Sequence, residues 1–155
     1  MISELKSLSS LEQELIFKAP ILVCILIAGA DGNIDRKEIR KAIEFAEKKT
    51  VKLNSAVSFV FIDIAQDFED KLKILLQQYP FKSQERNPII VNELSGLNSI
   101  WGKIDSAFAS EFYNTLLSIS NQIASSSGGI MGYNTVGSEE ARYLNLDMIS
   151  KPASG

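Results

Sequence analysis

A chain of 155 residues with 45% hydrophobic side chains is the size of one domain and can build a core without disulfide or metal staples. Its formal charge is −3, and basic and acidic residues balance at 8 and 8 over residues 1–50 and 6 and 6 over residues 51–103, then fall to 2 and 5 over residues 104–155. That distribution has no basic stripe for nucleic acid. The absence of histidine, with a single cysteine at Cys24, excludes Ser-His-Asp and Cys-His nucleophiles, Cys/His zinc sites and an internal disulfide. It points to a reducing, cytoplasmic setting.

Every element reads as helix. Ser9 and Glu12 have capping-box spacing, so a first helix opens near Ser10. It either breaks or restarts at Pro20, since proline suits a helix's first turn. The apolar run Ala19–Ala30, bounded by Lys18 and Asp31, is too short for a spanning helix of about 20 residues. Glu4, Glu12 and Glu14 stand where a signal peptide would be basic. The run therefore reads as a helix buried on all sides, ending at Asp31-Gly32.

A second helix is expected from Asp35 to about Lys49, with Ile39, Ala42, Ile43 and Ala46 on one face. The stretch SAVSFVFIDIAQDF has strand-like composition, but Val57, Val60, Phe61, Ile64 and Phe68 keep the helical period. DKLKILLQQY continues it as helix to Pro80. Asn87-Pro88 reads as a cap followed by proline at the first helical position, opening a helix to about Lys103. Asp105 caps the next, which turns Phe108, Phe112, Leu116, Ile119 and Ile123 inward and ends at Gly128-Gly129. Ser138 caps a last helix whose first turn holds Glu139 and Glu140, where acids suit the helix dipole. Residues 1–150 form the domain and KPASG, residues 151–155, a flexible tail.

The candidate site is the acidic corner after the apolar helix. Asp31, Asp35 and Glu38 lie at i, i+4 and i+7 around a helix start, so their carboxylates can converge on a cation. Set against an EF-hand loop, Asp31 takes the fifth place, Gly32 the turn glycine, Ile34 the eighth, Asp35 the ninth and Glu38 the twelfth. The first and third places are Ile27 and Gly29, which offer no side-chain oxygen, so half a calcium loop remains. The same residues have a purely structural use. Asp35 and Glu38 form a capping box and Asp31-Gly32 a turn pair.

The stretch APILVCILIAGADGNIDRKEIRKAIEFAE, Ala19–Glu47, resembles the tellurite-resistance TerB family. The hallmark is an apolar helix ending in Ala-x-Ala-Asp-Gly, then an apolar residue and an acid opening the next helix: Ala28, Ala30, Asp31, Gly32, Ile34 and Glu38. The resemblance implies a compact all-α bundle of about seven helices in two loosely related halves. It further implies a cytosolic stress-response accessory protein that recruits other proteins and holds a divalent cation, calcium above all, on an acidic surface drawn from both halves. Residue by residue this gives Asp31, Asp35 and Glu38 from the first half and Glu139 or Glu140 from the second. The second half, Ile123–Leu144, keeps Ala124 and the glutamates but has Ser- and Gly-rich residues in place of Asp-Gly.

Other features have plainer uses. The loop SSSGGIMGYNTVGS lacks the lysine of a phosphate-binding loop and reads as an inter-helix connection. Arg36, Lys37, Arg40 and Lys41 form a solvated outer face of the second helix. Phe59, Phe61, Phe68, Trp101, Phe108 and Phe112 are expected in the core, as is Cys24 as a small hydrophobe. Neither an acid pair across a cleft nor a substrate-binding element is apparent, so no enzyme is expected. The remaining classes are a TerB-type accessory protein with a weak cation site and a structural interaction module whose acids are caps.

Overall fold

The computed structural model describes residues 3–29, 36–126 and 143–153. These residues build an all-helical bundle with no strand among them. Six helices run ten residues or longer: α1 (Ser10–Ala28), α2 (Arg36–Thr50), α3 (Ala56–Ala65), α4 (Phe68–Gln78), α5 (Ser83–Ser95) and α7 (Ser106–Ser126). Between α5 and α7 lie a single turn, α6 (Leu97–Ile100), and a 3-10 turn at Trp101–Lys103. Another 3-10 turn, Ser3–Leu5, precedes α1. The last helix expected, capped by Ser138, begins outside the described residues, so about seven full helices are not reached among those described.

α1 is the hub. It packs against α2, α3, α4, α5, α6 and α7, while α2 lies mainly along α7. Its start is the expected capping box: Ser9 Oγ accepts from Glu12 N at 3.2 Å and Glu12 Oε1 accepts from Ser9 N at 2.9 Å. Pro20 neither ends nor restarts it; the helix runs through for 19 residues. Proline inside a helix costs about 3 kcal/mol. Each fully buried Leu, Ile or Val returns about 1.5–3 kcal/mol, and Ile21 through Ile27 are all buried, so burial wins.

α2 places Ile39, Ala42, Ile43 and Ala46 in the core, as its period predicts. The strand-like stretch is helix, but in two pieces. α3 buries Val57, Val60, Phe61 and Ile64, and α4 buries Phe68, Leu72 and Leu75. The expected continuity fails at Asp67, whose left-handed φ of 54° turns the chain. Lys71 Nζ spans the turn to the Asp63 carbonyl and carboxylate.

Asn87-Pro88 does not open α5. The helix begins five residues earlier, at Ser83, and Pro88 sits inside it. The Lys82 carbonyl accepts from Glu85 N and Arg86 N, and the added turn carries Arg86 and Asn87 into the interior. Gly96, where α5 ends, presses on α1: a Cβ there would stand 3.1 Å from Leu15 Cδ2 and 3.0 Å from the Glu93 carbonyl.

Asp105 caps α7 as expected, its Oδ2 accepting from Ala107 N and Phe108 N. Phe108, Phe112, Leu116, Ile119 and Ile123 all face inward. Residues 143–153 form a strap across α6 and α7. Asn98 Nδ2 donates to the Met148 carbonyl, Ser150 N to Asn98 Oδ1, Trp101 Nε1 to the Ser150 carbonyl and Ser120 Oγ to the Leu144 carbonyl. Leu146, at a left-handed φ of 52°, is fully buried, and so is most of Pro152, which the sequence assigned to the tail.

Candidate functional site

Of the five acids expected to hold a cation, the described residues include one. Glu38 lies in the first turn of α2 with an exposed side chain. Asp31, Asp35, Glu139 and Glu140 lie outside the described residues, as does the Gly- and Ser-rich loop 125–138 from residue 127 on. Among the described residues no three of His, Cys, Asp and Glu gather where a metal ion would need them. The exposed Arg36, Lys37, Arg40 and Lys41 are the solvated face expected.

What the structure does describe is the end of α1 just before that corner. Arg86 is 5% exposed, a buried guanidinium. Its Nη2 donates to the Gly29 carbonyl at 3.2 Å and its Nη1 to the Phe81 carbonyl at 3.1 Å. Nε has no partner among the described residues, and burial lowers the pKa from the usual arginine value. A cation at a helix C-terminus is favourable, because the last carbonyls carry the negative end of the dipole. It also sets a fixed positive charge two residues ahead of Asp31 in the sequence, which opposes a second cation nearby. Arg86 was not foreseen because the proline rule placed the helix start after it.

A concave region lies elsewhere among the described residues, along α1, α3 and α4. One part, of about 570 Å³, is bounded by Ser3 and Glu4, by Phe17 of α1 and by Asn54, Phe59 and Asp63 around α3. The second, of about 220 Å³, continues past the shared Phe17 and Asp63 between Glu14, Lys18 and Ile21 of α1 and Lys71 and Ile74 of α4. Phe59, expected in the core, is 51% exposed here and Ile74 is 53% exposed; Ile62, 52% exposed, lies on α3 outside both linings. Trp101, also expected in the core, is half-buried because its indole N–H reaches out to Ser150. Phe61, Phe68, Phe108 and Phe112 are buried as expected.

The period could have flagged the groove. Phe59 and Ile62 fall off the stripe of Val57, Val60, Phe61 and Ile64, and Ile74 falls beside that of Leu72 and Leu75. Apolar residues off the buried stripe are the sequence signal of an unoccupied face.

The charges around the groove are unevenly matched. Lys18 Nζ pairs with Glu93 Oε2 at 2.9 Å, and Lys71 Nζ with Asp63 Oδ2 at 3.6 Å. Both lysines are thereby neutralised. Glu14 and Glu4 keep carboxylates with no basic partner among the described residues. Tyr79 Oη donates to Glu93 Oε1 at 2.9 Å, and burial with this carboxylate pushes the phenol well above its usual pKa. A hydroxyl held that firmly in its neutral form positions a side chain and supplies no base. Cys24 is fully buried, and burial pushes its thiol up as well, so it carries no nucleophile.

The groove sets the apolar side chains of Phe17, Phe59 and Ile74 beside the carboxylates of Glu4 and Glu14. No helix among the described residues is long and apolar enough to cross a membrane. Compared with known proteins, the chain matches no family model, no curated protein and no solved structure.

Proposed function

We propose that this chain works by binding protein, as a helical interaction domain whose docking face is the groove along α1, α3 and α4. One observation carries the reading: Phe59 and Ile74, large apolar side chains each about half exposed, line the two parts of the groove, and Ile62, equally exposed, lies three residues from Phe59 on α3. Contiguous exposed apolar surface rimmed by charge is the mark of an interaction site. The test is a photo-crosslinking amino acid placed at Ile62 or Ile74 in cells, with Phe81, 92% exposed away from the groove lining, as control. Protein adducts from Ile62 and Ile74 and not from Phe81 are expected. A groove that yields no adduct ends this reading.

A second reading keeps the TerB-like expectation of a cytosolic stress-response accessory protein with a weak calcium-type site at Asp31, Asp35 and Glu38, joined by Glu139 or Glu140. It is favoured by Glu38, the one described acid of the set, which stands exposed in the first turn of α2 where the motif puts it. Calcium at about 1 mM is then expected to raise the melting temperature of metal-stripped protein, and Asp31→Asn with Glu38→Gln to abolish the rise. No shift would leave the interaction domain alone.

A further inference from the structure

We infer that residues 143–153 are an internal ligand: a strap that seats in a peptide-reading cleft on α6 and α7, opens apart from the helices, and yields its place to another peptide segment with the same apolar spacing. This is a second surface, independent of the groove along α1, α3 and α4.

The strap is held as a bound peptide is held. Asn98 makes a two-point contact with its main chain, Nδ2 donating to the Met148 carbonyl at 3.0 Å and Oδ1 accepting from Ser150 N at 2.6 Å. Trp101 Nε1 donates to the Ser150 carbonyl and Ser120 Oγ to the Leu144 carbonyl, each at 2.8 Å. These bonds read backbone, so they hold for many sequences. The side chains enter separately. Leu146, Ile149 and Pro152, spaced by three, are buried, whereas Asp147, Ser150 and Lys151 between them are exposed. Main-chain bonds for affinity and apolar pockets for specificity are the division of labour of a peptide site. The occupant shows what the cleft takes: a segment of pattern Leu-x-x-Ile-x-x-Pro.

The helices pack without the strap. α7 lies directly on α1 and α2, and α6 on α1 and α5. The bonds from Asn98 and Trp101 lie at the surface, and three buried side chains anchor eleven residues. Few buried apolar anchors and solvent-facing hydrogen bonds mark a segment that opens locally, below the cost of unfolding the whole. Seating also holds Leu146 at a left-handed φ of 52°, a conformation disfavoured for a bulky side chain, and opening releases it.

Two measurements on the full chain test this. In the wild-type chain, the amides of Leu146 and Ile149, which donate to the Tyr143 and Leu146 carbonyls, are expected to exchange hydrogen about tenfold or more faster than those of Leu116 and Ile119 within α7. The second uses full-length Leu146→Asp, replaced by Leu146→Ser if circular dichroism shows lost helix. A synthetic peptide of residues 143–153 is titrated into each chain. Trp101, the only tryptophan, bonds the strap and stands edge-on to Phe112 at 6.5 Å, so its fluorescence reports a filled cleft. The variant is expected to bind the peptide, and the wild-type chain to bind it about tenfold or more weakly, because its own tethered strap competes at high local concentration. Asn98→Ala added to the variant is expected to weaken binding several-fold, and a peptide carrying Leu146→Asp to bind neither chain.

Equal protection of the strap and α7 amides overturns the inference. So does loss of helix in both Leu146 variants, which would make the strap part of the common core. A folded variant that binds no peptide, or binds the altered peptide as well as the natural one, overturns it too.

Discussion

The C-terminal half of α1 and the paired helices α3 and α4 are made of the same kinds of residue, and the fold uses them in opposite ways. From Ala19 to Ala28 every residue of α1 is buried, because six other helical segments surround it. α3 and α4 are covered on one side only, so Val57, Val60, Phe61, Ile64 and Leu72 reach the core while Phe59, Ile62 and Ile74 stay half in water. Apolar content sets how much surface seeks burial. The number of neighbouring helices sets how much finds it. What is left over in α3 and α4 is available to another molecule.

Substitutions in the two regions should separate core from docking face. The largest effect is expected at the centre of α1. Leu22→Ala leaves a cavity in a site with no exposure and should cost about 2–5 kcal/mol, read by urea denaturation. A loss below about 1 kcal/mol would mean that α1 is less enclosed than described.

An intermediate effect is expected where α5 ends against α1. Gly96→Ala puts a methyl group 3.1 Å from Leu15 Cδ2 and 3.0 Å from the Glu93 carbonyl, so overpacking of about 1–3 kcal/mol should appear in the same measurement. Leu15→Ala in the same chain should recover part of it, since one of the two close neighbours is then removed.

The smallest effect is expected on the groove. Ile62→Ser or Ile74→Ser should change stability by about 0.5 kcal/mol or less while reducing capture of the docked partner. A loss approaching that of Leu22→Ala would place these side chains in the core, and the contrast between the regions would collapse.

Much of this was legible in the residues. The capping box at Ser9 and Glu12, the buried stripe Ile39, Ala42, Ile43 and Ala46, the Asp105 cap and the inward face of α7 all follow from interactions within three or four residues. Both proline readings turned on what lies far away in sequence. Pro20 is carried through by the neighbours that enclose α1, and the turn before Pro88 exists alongside the contact of Arg86 with Gly29, 57 residues distant. The acidic corner was the most conspicuous motif in the chain, yet of its first-half acids only Glu38 is among the described residues. The groove was less conspicuous, since three residues off a stripe mean little until the helices around them have been counted.

Local chemistry, acting over single turns of backbone, decided that this chain is helical, where most of its helices begin and which face of each is greasy. Only packing decided that α1 would be enclosed on all sides and α3 and α4 left partly open. It also carried a charged arginine inside to meet the Gly29 carbonyl at the end of a distant helix. The physical reason is range: hydrogen-bond caps and helical periods act between near neighbours in the chain, whereas burial depends on how many other segments arrive at the same place.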